Sequence, residues 1–221
     1  MVVVLTPEKA AELIKDNSRV MIGGFGNIGN PKRLIECIAD TEVRGLTVIA
    51  NDLGTPNVGL GRWVRDEKIK TAIGTYFTWN PEVAQRLRAG EIDVKLMPQG
   101  SFAEAIRAGG SGLGGFYTQV GIGTEVTEGD EVRIIDGEEY LFVRPLQADF
   151  AILHAKKADE LGNLIYERTA RNFNPVMAMG AKFTIVEVEE IVPAGELSPE
   201  EIVTPFIFVD VLVPLKEEGQ K

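Results

Sequence analysis

One cysteine and one histidine in 221 residues leave little room for whole classes of protein chemistry. A lone Cys37 excludes an internal disulfide framework and fits a reducing compartment. With only His154 beside it, no Cys/His spacing suited to a metal exists, and no metal is expected. Positive charge is also short, with 23 Lys and Arg against 33 Asp and Glu and a net charge of −10. Nucleic-acid binding rests on Lys and Arg neutralising phosphates, so nucleic acid is excluded as a partner. No apolar run reaches the roughly 18–20 residues a membrane-spanning helix needs, and no membrane contact is expected. The opening "MVVVLTPEKA" has too short an apolar run for a secretory signal and no basic residues before it. The cytoplasm is the expected address.

Helix starts are plentiful. Thr6-Pro7, Asn30-Pro31, Asn80-Pro81, Asn174-Pro175 and Ser198-Pro199 each pair a capping residue with proline at the first helical position. Ser198 with Glu201 also reads as a capping box. Between these starts lie "RVMIGG", "LTVIAND", "IKTAIG", "VKLMP", "FAILHA" and "FTIVEV", apolar runs that mostly do not alternate. Such runs suit strands covered on both faces. "EVRIIDGEEYLFV" differs, because Asp136-Gly137 between apolar-rich arms predicts a hairpin with a type I′ turn. The expected fold is α/β: three α/β/α layers, a mostly parallel sheet and an antiparallel hairpin excursion. Residues 1–221 read as one domain, with a charged tail at 216–221 expected to fray.

"GGFGNIGNP" contains a literal G-x-G-x-x-G at Gly24, Gly26 and Gly29, and Asp52 ends a second apolar run further on. On paper this is a dinucleotide fingerprint. Proline at position 31 argues against it. The helix should start there, leaving Gly29 in the loop rather than packed between helix and strand. A glycine-dense loop still lets backbone approach a ligand closely.

The stretch "DNSRVMIGGFGNIGNP" resembles the signature of class I (3-oxoacid) CoA-transferases. "IANDLG", "MPQGSFAEAIRAGGSGLGGFYTQVGIGT" and "LGNLIYERTARNFNPVMAMGAKFTIVEVEEIV" also resemble that family's A (alpha) subunit, so the likeness runs from about Thr6 to Val213. It is nearest to the short-chain type acting on acetate, butyrate and acetoacetate. The resemblance implies transfer of CoA from an acyl-CoA to a free carboxylic acid by ping-pong chemistry through a glutamyl-CoA thioester. The family's nucleophilic glutamate lies on its B subunit, and the Glu-Asn-Gly type of motif expected around it is absent here. The resemblance therefore implies a B-subunit partner, an α2β2 heterotetramer, and coenzyme A as substrate with no permanently bound cofactor. Transfer to another acid (succinate, 3-oxoadipate, glutaconate) or CoA-ester hydrolysis stands as the alternative. A nicotinamide oxidoreductase and a non-catalytic CoA-binding module are the rivals from other classes.

Gly23, Gly24, Phe25, Gly26, Asn27, Ile28 and Gly29 match the family's CoA-binding loop, where free backbone N–H groups would meet carbonyl, thioester or phosphate oxygens. Asn51 matches an active-centre asparagine. A side-chain amide at a strand's carboxyl end can donate to an oxyanion, or simply form an Asx turn before Gly54. Gln99 matches a position beside the reacting glutamate, or caps the helix after it. Asn51→Asp is expected to lose more activity than Asn51→Ala, with stability nearly unchanged. Residues 109–123 hold seven glycines among Leu113, Phe116, Tyr117, Val120 and Ile122, too apolar for a linker. They are expected to pack against substrate or partner. The Arg171-Asn172-Phe173-Asn174 run reads as a buried polar turn, His154 and Cys37 as structural, and Glu104 as the salt-bridge partner of Arg107. Ser101 lacks a base for a triad.

Overall fold

The computed structural model describes residues 2–127 and 129–215; the tail at 216–221 lies outside the described residues. Strands β1 (Val3–Val4), β2 (Arg19–Ile22), β3 (Leu46–Ile49), β4 (Ile69–Gly74) and β5 (Asp93–Leu96) alternate with helices α1 (Pro7–Ala11), α2 (Lys32–Ala39), α3 (Leu60–Arg65) and α4 (Pro81–Ala89). Helix α5 (Gln99–Gly110) leads into β6 (Phe116–Thr118), β7 (Val132–Ile135) and β8 (Glu138–Val143). Then come β9 (Ala148–Asp159), β10 (Leu164–Ile165), α6 (Asn174–Gly180), β11 (Ala181–Val192) and β12 (Val211–Pro214).

The main sheet runs β1-β12-β11-β9-β2-β3-β4-β5, and every pair along that path is parallel. Among the described residues, only β10 joins it antiparallel, on β9. The non-alternating runs are explained by two cores. Val20, Ile22, Val48, Ile152 and Ile185 face helices α1 to α4. Met21, Ile49, Ile73, Ala151 and Leu153 face α5, α6 and the small sheet. Both faces of the central strands are dry, so neighbouring positions there must both be apolar. The run "VKLMP" departs from that expectation: it forms β5 at the sheet's edge, where Asp93, Lys95 and Leu96 are exposed. The small sheet, β6-β8-β7, is antiparallel, and its hairpin turns at Asp136 (φ 50°) and Gly137 (φ 85°). Positive φ at both central residues is what a type I′ turn demands.

Thr6 caps α1 by accepting from the Lys9 N–H at 3.4 Å, and Asn80 caps α4 by accepting from the Glu82 N–H at 3.1 Å. Three other expected starts differ. Helix α2 opens at Lys32, and the Asn30 amide turns back to donate to the Gly23 carbonyl at 3.2 Å. The cap of α2 comes instead from β11, where the buried Glu187 carboxylate accepts from the Leu34 N–H at 2.9 Å. Helix α6 begins on Asn174 itself, whose side chain is engaged elsewhere. No helix follows Ser198-Pro199, and the Ser198–Glu201 capping box does not form. Glu201 donates to the Ser198 carbonyl and Val203 to the Leu164 carbonyl, each at 3.0 Å, drawing the chain alongside β10 as extended backbone. Pro205 favours that outcome by disfavouring helix at Thr204.

Candidate active site

Because β2 to β5 are parallel, their carboxyl ends lie along one edge of the sheet. The glycine loop leaves β2, Asn51 and Asp52 follow β3, Thr75 follows β4, and Gln99 opens α5 just past β5. Open α/β sheets place ligands at that edge, near the strand where the order reverses, here β2 between β3 and β9.

Asn51 is 3 % exposed, and its amide is nearly saturated. Its Oδ1 accepts from the Thr75 hydroxyl at 2.7 Å and from Gln99 Nε2 at 2.8 Å. Its Nδ2 donates to Asp52 Oδ2 at 2.9 Å. One N–H of Nδ2 remains without an acceptor among the described residues. The two residues that sequence singled out are thus in direct contact, and neither takes its simpler local role. The Asx turn belongs to Asp52, whose Oδ1 accepts from the Gly54 N–H at 3.0 Å. Gln99 caps nothing, since Pro98 precedes α5 without a side-chain cap. Asn51→Asp would set two carboxylates at hydrogen-bonding distance, so its stability is not expected to stay unchanged.

Residues 23–29 spend most of their own amides. Gly23 donates to the Ile152 carbonyl at 3.0 Å, and Gly24 to Asn172 Oδ1 at 3.1 Å. Gly26 donates to Asp52 Oδ2 at 2.8 Å, while Phe25 and Ile28 bond each other's carbonyls. The amides of Asn27 and Gly29 alone in this stretch lack an acceptor among the described residues. They border a cavity of about 540 Å³ shared with Lys32, Arg33, His154 and Glu187. Two clamps that hold the loop were not foreseeable from sequence. Asn172 Nδ2 donates to the Ile28 carbonyl and Asn174 Nδ2 to the Gly29 carbonyl, both at 3.0 Å. Asn174 Oδ1 meanwhile accepts from the His154 backbone N–H at 3.0 Å. The run read as a buried polar turn is only partly so, with Phe173 and Asn174 buried, Asn172 half-buried and Arg171 exposed, and its two asparagines serve the loop. Gly29 (φ 72°) has no room for a side chain, because a Cβ would meet the Ala170 carbonyl and the Asn172 amide.

Above Asn51 and Gln99 opens a cavity of about 400 Å³, walled by Phe25, Thr75, Tyr76, Trp79, Met97 and Pro98. Tyr76 and Trp79 stack edge to face with centroids 5.3 Å apart. Together with Phe25 they are exposed, an unusual amount of aromatic surface at one rim.

Among the described residues, no three His, Cys, Asp or Glu side chains stand together as a metal site needs. His154 lies on β9 with Nε2 3.4 Å from Glu189, and burial holds its pKa below the ordinary histidine value. Cys37 and Ser101 are buried, and Arg107 pairs with Glu104. Within 109–123, Gly109 and Gly110 close α5, and Phe116, Tyr117 and Thr118 form β6, so part of that loop is regular structure. Leu113 and Val120 are exposed. In a dinucleotide site the acid after the second strand would face a ribose. Asp52 instead holds Asn51, Gly26 and Gly54.

The model of the coenzyme A transferase family matches residues 4–214. This chain belongs to that family. It is 43% identical over 213 residues to the alpha subunit of the acetate CoA-transferase of Escherichia coli K12, covering 96% of this chain and 97% of that protein. It is 46% identical over 211 residues to the A-type subunit of a probable succinyl-CoA:3-ketoacid coenzyme A transferase of Bacillus subtilis, covering 96% and 89%. Both relatives are named as alpha or A subunits, and this CoA-transferase chain is of that type. An acyl-CoA transferase of Escherichia coli O157:H7, crystallised as a thioester complex with CoA, shares the fold with a TM-score of 0.88 at 22% identity. The present chain is covered completely but spans only half of that longer one.

Proposed function

We propose that this chain is the A subunit of a short-chain CoA-transferase, working with a glutamate-bearing B subunit in an α2β2 assembly. The reaction moves CoA between an acyl-CoA and a free carboxylic acid of the acetate, butyrate or acetoacetate type. The observation that carries this reading is the contact between Asn51 and Gln99 at the floor of an aromatic-walled cavity. Among the described residues that line the cavity there is no carboxylate, thiol or amine, but there is a donor.

The chemistry follows from that division. The B subunit's glutamate carboxylate attacks the thioester carbonyl, and the carbonyl π electrons move to oxygen. The oxyanion collapses, the C–S bond breaks, and CoA thiolate leaves an acyl-glutamyl anhydride. Thiolate then attacks the glutamyl carbonyl of the anhydride, forming the glutamyl-CoA thioester and expelling the donor acid as its carboxylate. The acceptor carboxylate runs these steps in reverse. Each tetrahedral stage places negative charge on one oxygen. The unspent N–H of Asn51 Nδ2 is suited to receive it, and removing one such preorganised donor costs about 10²–10³ in rate. The amides of Asn27 and Gly29 stand as further donors toward CoA. The exposed Phe25, Tyr76 and Trp79 rim favours closure of the cavity by a partner surface, and specific interfaces of that kind bury about 1,200–2,000 Å² or more.

Co-expression with a B subunit, followed by assay against a panel of acyl-CoAs and acids, tests the reading. Exchange among short monocarboxylic acids is expected from the pair and negligible turnover from this chain alone. A lone active monomer would overturn it. Preference for succinyl-CoA, or net hydrolysis without an acceptor acid, would point to the alternatives.

A further inference from the structure

Asp52 belongs to no role in that chemistry, yet it is 6 % exposed and makes three hydrogen bonds. Its importance follows from which groups around Asn51 can reverse. The torsion that turns an asparagine amide is broad and roughly two-fold, so nitrogen and oxygen exchange places at small intrinsic cost. The Thr75 hydroxyl donates to Oδ1, but a hydroxyl also accepts, so it tolerates either orientation. Gln99 meets Oδ1 with its own nitrogen, and its amide can turn over too. An ionised carboxylate only accepts. Of the three partners, Asp52 alone accepts a single orientation.

We propose that Asp52 is a positioning residue of the transfer reaction: it fixes the Asn51 amide with nitrogen directed away from Thr75 and Gln99. That leaves one N–H, and no oxygen lone pair, as the amide's unspent hydrogen-bonding group. Through the Gly26 N–H the same carboxylate oxygen ties this orientation to the glycine loop, so loop and donor are set by one atom. The proposal rests on Asn51 acting as the oxyanion donor. With a side chain at position 52 that both donates and accepts, a fraction of molecules would present the Asn51 oxygen to the developing negative charge, and those molecules would not turn over.

The test is a double-mutant cycle in the assembled enzyme, using Asp52→Asn and Asp52→Ser, each alone and with Asn51→Ala. Both substitutions keep a polar group near Gly54, yet each can donate as well as accept. The expected result is a kcat lower by about 10–100-fold with KM within about threefold, short of the 10²–10³ that losing the donor outright costs. In the Asn51→Ala background the same changes should lower kcat by less than about twofold, since nothing is left to orient. A merely structural role would instead multiply fully with Asn51→Ala, and that outcome overturns the proposal. So would failure of both variants to assemble, which would mark Asp52 as a folding residue of the loop. A wild-type kcat in Asn51→Ala alone would sink the donor role of Asn51 itself. A slow Asn51→Ala with fully multiplicative Asp52 effects would sink only the positioning.

Discussion

Replacing Asn51 by aspartate separates the two duties of its amide. The Nδ2 atom lies 2.9 Å from Asp52 Oδ2, so the new carboxyl oxygen would face a carboxylate at that distance. At an effective dielectric of about 20, two unit charges so placed repel by about 6 kcal/mol. The new carboxyl would titrate well above the ordinary carboxylate range, as paired carboxyls do. While it keeps its proton it donates it to Asp52, which restores the internal contact. It still has no second hydrogen, so the oxyanion loses its donor at every pH. We expect kcat to fall by about 10²–10³ across pH 6–9, without recovery at the acid end. Stability should behave differently. A carboxyl whose folded pKa is raised contributes stability below its unfolded pKa, and that contribution is lost as pH rises through the folded value. The stability deficit of Asn51→Asp, read as a lowered Tm, should therefore widen as pH rises, reaching about 2–4 kcal/mol once rotation of the new group relieves part of the repulsion. Asn51→Ala, which adds no charge beside the oxyanion, should lose less activity than Asn51→Asp, with a pH-independent Tm deficit. Steady-state kinetics of the assembled enzyme and thermal scans over the same pH range decide it. An Asn51→Asp enzyme within threefold of the wild-type kcat below pH 7, or a Tm deficit flat with pH, would refute the reasoning.

Other perturbations follow from the same geometry. Burial raises Glu187 to about 7 against the amides of α2 that favour its charged form, so its contribution to stability is present below about pH 4.5 and lost as pH rises toward 7. Glu187→Gln should flatten that decline by on the order of 3 kcal/mol in pH-dependent unfolding, and an unchanged slope would contradict the assignment. Gly29 and Gly90 have φ of 72° and 73°, but only at Gly29 would a Cβ meet other atoms. Gly90→Ala should cost about 1 kcal/mol of conformational strain and Gly29→Ala at least twice that, with lost activity; equal costs would show the loop to be more yielding than its contacts suggest. Trp79 is half-exposed at the cavity rim, so Trp79→Ala should raise the acyl-CoA KM several-fold with stability changed by less than about 1 kcal/mol; an unchanged KM would place the substrate elsewhere.

What could be read before the structure was what local chemistry decides. Five of the six apolar runs became central parallel strands because both of their faces are buried, whereas "VKLMP" became the exposed edge strand β5; the Asp136-Gly137 turn formed because its two residues tolerate positive φ. Thr6 and Asn80 cap their helices for equally local reasons. The errors share one cause. Asn30 and Asn174 are good caps by composition, but the glycine loop between β2 and α2 needed their amides more, and a carboxylate 153 positions from Leu34 in sequence capped α2 instead. Ser198-Pro199 had the right letters for a helix, and pairing of Val203 with Leu164 overrode them.

The candidate site shows the same boundary more sharply. Asn51 and Gln99 were legible because each closes an apolar run at a strand's carboxyl end and matches a family position. That they touch was not legible, since 48 positions separate them and only the parallel order of β3, β4 and β5 closes the gap. Asp52 completed on paper a dinucleotide motif that Pro31 argued against. Its spacing from the glycines is real, because a turn following β2 and an acid following the adjacent β3 must meet at the sheet's edge whatever the ligand. A dinucleotide fold uses that meeting to hold a ribose; here the acid turns inward and holds the chain's own amides at Gly26 and Asn51. The glycine pattern thus reports the strand-to-loop geometry faithfully and the chemistry not at all. Only the side chain beside the acid, an asparagine with one N–H to spare, favours the proposed oxyanion site over one that binds a sugar.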